Sequence, residues 1–127
     1  MTTTTVDHNW QEVLNKASAK ATEAWKSAVP EAMVVTNNEG QRWVVSEGPC
    51  GFSYVIVKDG RSAFVRHLRK HNIGRKHYYG GWEIPSWQLV AEDRASQSYQ
   101  RKGAATQAAV ELLAEYGIQA YSMSRYD

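Results

Sequence analysis

The sequence predicts an α+β fold in the order α-β-β-β-α-β-α-β, with a single mixed sheet of four to five strands and three helices packed mainly on one face. Three observations predict it. Apolar residues recur at helical spacing in two places, Trp10 to Ala28 and Ala105 to Tyr116. Between these helices Phe52 to Lys58 alternates as a strand does, with Phe52, Tyr54 and Ile56 on one side and Ser53, Val55 and Val57 on the other. Turn signals at Asn37–Gly40, Gly48–Gly51, Asp59–Gly60 and Gly80–Gly81 cut the remainder into short pieces.

Each element follows from local chemistry. Residues 1–6, with four consecutive threonines, read as a flexible leader, and residues 7–127 as one α+β domain. Asp7 can cap the first helix, whose stripe is Trp10, Val13, Leu14, Ala17, Ala21, Ala24, Trp25 and Ala28, and Pro30 ends it. Met33 to Asn37 and Arg42 to Glu47 form a hairpin about the Asn37–Gly40 turn. Ser62 suits the N-cap of a short helix from Ala63 to about Asn72, with Phe64, Val65 and Leu68 inward. Gly74 stands where that helix's left-handed terminal residue is expected. Arg75 to Gly81 reads as a loop, and Trp82 to Trp87 as a strand held to an edge or a bulge by Pro85. Residues 88–96 show no period. The last helix begins near Ser96 or Ser98 and presents Ala105, Ala108, Ala109, Leu112, Leu113 and Tyr116. Gly117 and Ile118 stop it, and Ala120 to Ser124 adds a final strand.

Bulk numbers exclude several classes. With 127 residues, 43% hydrophobic and 22% charged, the chain can bury one modest core. No apolar run approaches the ~20 residues of a membrane span, and residues 1–5 lack the basic and apolar regions of a secretory signal. Cys50 is the single cysteine, which excludes an intramolecular disulfide and a multi-cysteine zinc site and fits a cytoplasmic setting.

The charge is unevenly placed. Gly60 to Trp82 contains no Asp or Glu but holds Arg61, Arg66, Arg69, Lys70, Arg75 and Lys76, three of the four histidines, and then Tyr78, Tyr79 and Trp82. Six of fifteen Lys/Arg lie here, leaving nine against thirteen acids, so this segment carries +6 and the remainder −4. Cations followed by aromatics are the pattern of a nucleic-acid site, because cations near phosphates release counterions and rings stack on unpaired bases. A second cluster, Arg101 and Lys102, opens the last helix, where free amides also suit an anion. The expected function is a small non-enzymatic nucleic-acid-binding module. Arg66, Arg69, Lys70, Arg75, Lys76, Arg101 and Lys102 would hold phosphates, with His77 on the same loop, and Tyr78, Tyr79 and Trp82 would stack. The bland alternative is a solvated basic face with its aromatics in the core. A further alternative is an interaction or inhibitor module of phage type docking on an acidic bacterial protein, since Arg, Tyr and Trp also anchor protein interfaces.

The segments Cys50–Val55, Gly74–Gly81 (GRKHYYGG), Gln97–Lys102 and Gly117–Tyr121 resemble a group of small uncharacterised proteins from bacteriophages and bacteria. The resemblance spans roughly residues 48–127. It implies a bacterial or phage cytoplasmic origin and a loop at 74–81 that is more than a spacer, and it implies no activity.

Catalytic and metal chemistry find little support. There is no Walker A loop, dinucleotide glycine fingerprint or HExxH, and the carboxylates Asp59, Glu83, Glu92 and Asp93 are scattered. His67 and His71 have i,i+4 spacing, but six nearby cations oppose a divalent ion. Cys50 reads as a buried structural thiol. No cofactor is expected. A small enzyme acting on a phosphorylated ligand stands as the third class.

Overall fold

The computed structural model describes residues 9–28, 33–36, 40, 42–45, 51–95 and 98–126. Asp7, Pro30, Cys50, Ser96 and Gln97 lie outside them. Helix α1 spans Trp10–Ser27, and its N-cap is Asn9, whose side chain accepts from the Glu12 amide at 3.2 Å. A hairpin follows, β1 (Met33–Thr36) against β2 (Arg42–Val45), forming its own two-stranded antiparallel sheet. Strand β3 (Gly51–Val57) leads into helix α2 (Ala63–Lys70), capped by Ser62 as its sequence predicts, with the Val65 amide 3.2 Å from the hydroxyl. Strands β4 (Arg75–Lys76) and β5 (Trp82–Pro85), helix α3 (Ser86–Leu89) and a 3₁₀ turn at Ala91–Ala95 come next. Helix α4 (Tyr99–Glu115), capped by Ser98, and strand β6 (Ala120–Tyr126) end the fold.

The α+β class stands, with three refinements: a fourth, short helix (α3) joins the three expected, the β1–β2 hairpin is a sheet of its own, and the main sheet is not mixed. The main sheet has four strands in the order β4-β5-β3-β6, and every pairing is antiparallel rather than mixed. The segment read as a loop at 75–81 is the start and tip of the β4–β5 hairpin. Beyond β5 the chain turns helical at Ser86, so the strand expected to reach Trp87 stops at Pro85. Pro85 is tolerated inside the sheet because the two residues of β4 pair only with Glu83 and Trp82 and leave the proline's outer side open.

One apolar cluster joins the sheet to the helices. Val55 and Val57 of β3 and Ile84 of β5 meet Val13, Leu14, Ala17 and Ala21 of α1, Phe64, Val65 and Leu68 of α2, and Ala105, Ala109, Leu112 and Leu113 of α4. The alanines on α1 and α4 let these two helices approach closely. Trp10 and Trp25 pack against this cluster within the chain, Trp10 beside the Phe64 ring at 5.9 Å.

Two helix ends show how the local sequence sets the course of the chain. At α4 the Ile118 amide donates to the Leu113 carbonyl and the Gly117 amide to Ala114, with Gly117 at φ 76, the expected stop. At α2 the same pattern is made by Asn72 at φ 58, with Ile73 donating to Leu68 and Asn72 to Arg69, so the terminal left-handed residue is Asn72 rather than Gly74. Gly74, at φ 77, has a separate job: a Cβ there would collide with the Glu83 carbonyl and the Trp82 indole.

Along the first half of α4 the interior turns polar. Ser53, Thr106, Ser122 and Ser124 form a chain of hydroxyls, with Ser53 2.6 Å from Thr106 and 2.7 Å from Ser124, and Thr106 2.7 Å from Ser122. Thr106 also donates toward the Lys102 carbonyl at 3.2 Å. Each hydroxyl is satisfied within the group, as burial requires.

Candidate nucleic-acid interface

Helix α2 is amphipathic enough to set its charges outward. Phe64, Val65 and Leu68 are buried, so Arg66, Arg69 and Lys70 are exposed on the other side. Arg66 donates through Nη1 to the Arg61 carbonyl at 3.0 Å. The Arg69 guanidinium lies 4.6 Å from the centre of the Trp82 ring. Among the described residues, Arg61, Arg66, Arg69, Lys70 and Lys76 make no ion pair, and only Arg75 of the six does, with Glu83 at 3.4 Å.

The β4–β5 hairpin carries the loop residues. Its tip is closed by the His77 amide donating to the Gly81 carbonyl at 3.0 Å and the Gly80 amide donating to the His77 carbonyl at 3.1 Å. Gly80 and Gly81 take φ of 103 and 85, and a Cβ on Gly81 would strike the Val57 carbonyl. His77 is buried, its Nδ1 3.4 Å from the Glu83 carboxylate oxygen that also faces Arg75. With His77 anchored, the next two side chains stand out: Tyr78 is 89% and Tyr79 84% exposed. Their rings meet edge to face at 4.9 Å. Such exposure runs against the ordinary burial of large rings, and here it is imposed by a tight, anchored tip.

Three residues expected at the surface are instead committed to the interior. Trp82 is buried, donates through Nε1 to the Ile73 carbonyl at 2.9 Å and lies under Arg69, so it has no free face for a base. His77 is the anchor of the tip and does not face solvent. Lys102 is buried with Nζ 2.8 Å from the Asp93 carboxylate, which also accepts from Ser86 at 2.5 Å and from the Trp25 indole at 2.8 Å. Arg101 is half-buried with its guanidinium 4.6 Å from the centre of the Trp25 ring. The expected residues left exposed are Arg66, Arg69, Lys70, Arg75, Lys76, Tyr78 and Tyr79, on adjoining parts of α2 and the hairpin.

The fold adds residues that sequence reasoning missed. Register places Arg75, Glu83, Ile56 and Tyr121 in one cross-strand row on the sheet face opposite the core, with Phe52, Tyr54 and Arg125 farther along it. Arg125 lies 5.5 Å from the Phe52 ring and 5.9 Å from Tyr54, and Lys58 lies 5.9 Å from Tyr121. The alternation of Phe52 and Tyr54 signalled a common face, but not which face. At one end of the sheet a cavity of about 780 Å³ is lined by Gly74, Arg75, Arg94 and Lys102 among others, so it takes one residue from each of the two basic clusters. Arg94 and Trp87 fall in or beside the stretch without periodicity, and nothing local marked them.

The histidine pair on α2 stays close, its rings 4.4 Å apart, with His67 Nε2 2.9 Å from the Gln11 side-chain oxygen. Burial lowers the His67 pKa from its ordinary value, and the neighbouring His71 and Lys70 push the same way. Among the described residues no group of three His, Cys, Asp or Glu side chains is placed to hold a metal ion, and no helix is long and apolar enough to cross a membrane.

Searches of protein families, of curated proteins and of solved structures return no match for this chain.

Proposed function

We propose that this chain is a non-enzymatic module that binds single-stranded or structured nucleic acid through the outer side of α2 and the tip of the β4–β5 hairpin. The observation that carries the reading is the pair Tyr78 and Tyr79, almost fully exposed beside Arg75 and Lys76. Two rings held in solvent next to cations provide stacking surfaces and phosphate contacts within one short reach. Arg66, Arg69 and Lys70 extend the positive surface, and no Asp or Glu between Gly60 and Trp82 competes for it.

The test is fluorescence anisotropy with labelled single-stranded DNA, duplex DNA and structured RNA across salt concentrations. Binding should weaken steeply with salt, with a log–log slope of about −0.7 for each phosphate contact on a single strand. Replacing Arg75 and Lys76 by Ala should weaken binding to all sequences alike and flatten that slope by about 1.4. An unchanged slope in the double variant would remove the site assignment. Absence of binding to any of the three probes at low salt would leave docking on an acidic protein as the reading of the same surface.

A further inference from the structure

The cavity at the end of the sheet is a separate feature from the hairpin tip, and its walls have a definite chemistry. Phe52, Tyr54 and Trp87 supply aromatic surface, with Trp87 42% and Phe52 44% exposed. Arg75, Arg94 and Gln88 supply donors. Gln88 is oriented by the Gly74 amide, which donates to its Oε1 at 2.7 Å, so the side-chain NH₂ remains for another acceptor. The Arg94 guanidinium lies 5.1 Å from the centre of the Trp87 ring and makes no ion pair among the described residues. Arg75 uses Nε toward Glu83 and keeps its terminal nitrogens.

Acceptors are scarce by comparison. Asp93 is the one carboxylate lining the cavity among the described residues. It is fully buried, and its two oxygens already take Trp25, Ser86 and Lys102. That pairing cancels Lys102, and Glu83 offsets part of the Arg75 charge, so among the described residues Arg94 is the cation of the wall without an acidic partner. A fitting ligand therefore has a flat ring and an anionic group rich in acceptors. Its volume is ample for one nucleotide, within the range of ordinary ligand pockets.

We propose that this cavity binds one nucleoside monophosphate unit, its base against Phe52, Tyr54 and Trp87 and its phosphate between Arg75 and Arg94. A planar base has π faces for the aromatic wall, and its ring nitrogens or carbonyls accept from the Gln88 NH₂. A phosphate accepts in pairs from guanidinium groups. The unit has two chemical sources, a free nucleotide or one residue of a strand. Arg75 favours the second, because it borders the cavity and also adjoins the hairpin tip proposed to hold the strand.

The experiment is ¹⁹F NMR on protein labelled with 5-fluorotryptophan, with the Trp87 resonance assigned through Trp87→Phe. Adenosine monophosphate, adenosine, inorganic phosphate and a short single strand are titrated separately. The nucleotide should move the Trp87 signal saturably and bind more tightly than adenosine or phosphate alone. Arg94→Ala, at an exposed position that leaves the fold intact, should weaken it about tenfold or more, as loss of a charge-assisted hydrogen bond does. The strand should move the same signal if it is the source, while a response to the free nucleotide alone assigns the cavity to small ligands. The Tyr78→Ala/Tyr79→Ala double variant should lose strand affinity and retain the nucleotide response, which separates failure of the hairpin reading from failure of this one. A Trp87 signal unmoved by both millimolar nucleotide and saturating strand, or moved equally by phosphate alone, overturns the proposal.

Discussion

The two basic clusters of this chain have similar composition and opposite fates. On α2 and the β4–β5 hairpin, Arg66, Arg69, Lys70 and Lys76 are exposed and make no ion pair among the described residues. At the start of α4, Lys102 is buried against Asp93 and Arg101 lies over Trp25. The difference lies in what the fold brings within reach. Asp93 stands nine residues before Lys102, and the 3₁₀ turn at Ala91–Ala95 delivers it to the helix. No acid occurs between Gly60 and Trp82, and among the described residues Glu83 pairs with Arg75 and His77. Lys102 is drawn inward by the carboxylate that folding brings to it, whereas the cations of α2 and Lys76 stay at the surface where folding brings none.

The largest expected effect breaks the α4 side of this comparison. Asp93→Ala leaves the Lys102 charge buried without its partner and removes the acceptor of Ser86 and Trp25. It should cost about 3–5 kcal/mol of stability, measured by urea denaturation. Adding Lys102→Met should recover a large part of the loss, since an apolar chain of similar length replaces the stranded charge. A single variant as stable as the parent would show that the pair contributes nothing.

Next is the hairpin side. Tyr78→Ala and Tyr79→Ala touch rings exposed to 89% and 84%, so each should change stability by no more than about 0.5 kcal/mol. Each should nonetheless weaken single-strand binding by about 1–3 kcal/mol in an anisotropy titration. Equal losses in stability and affinity would mean that the tyrosines serve the fold. A smaller effect belongs to Arg101→Ala. It removes, together with any other contact of this half-buried side chain, a cation over the Trp25 ring that is worth at least about 0.5–1 kcal/mol, and should lower the melting midpoint while leaving nucleic-acid affinity unchanged.

The same contrast explains what could be read in advance. The apolar stripe Val13, Leu14, Ala17, Ala21 and the face Ala105, Ala109, Leu112, Leu113 were legible because helical periodicity is a local property. The cap at Ser62 and the stop at Gly117 were legible for the same reason, while the start of α4 was narrowed only to Ser96 or Ser98. The fate of Trp82 was not, since its ring satisfies a stacking role and a core role equally well until Ile73 and Arg69 are placed around it. Lys102 depended on an acid in a stretch without period. Ser53, Ser122 and Ser124 carry no local mark of a common role, and only the approach of Thr106 from α4 joins them into a network. The cavity needed Tyr54, Arg75, Trp87 and Arg94 from four separate elements, and no local signal spans that distance.

The smallest prediction concerns pH, and it sharpens the account of α2 as a crowded positive surface. Burial holds the His67 pKa below its ordinary 6.5, and His71 and Lys70 add to the shift. A lowered pKa in the folded state means that the unfolded chain takes up its proton first as pH falls. Stability is therefore complete above about pH 7.5, declines as pH falls through 6.5, and stops declining once the folded histidine is also protonated. The loss should be small because the ring keeps part of its solvent contact. His67→Gln should flatten the midpoint of urea unfolding between about pH 7 and pH 5 relative to the parent. The glutamine can still donate toward Gln11, so a change in the slope reports on charge and not on the lost contact. A parent midpoint that rises as pH falls through this window would mean that the charged ring is favoured in the fold, and that the cations of α2 do not repel it.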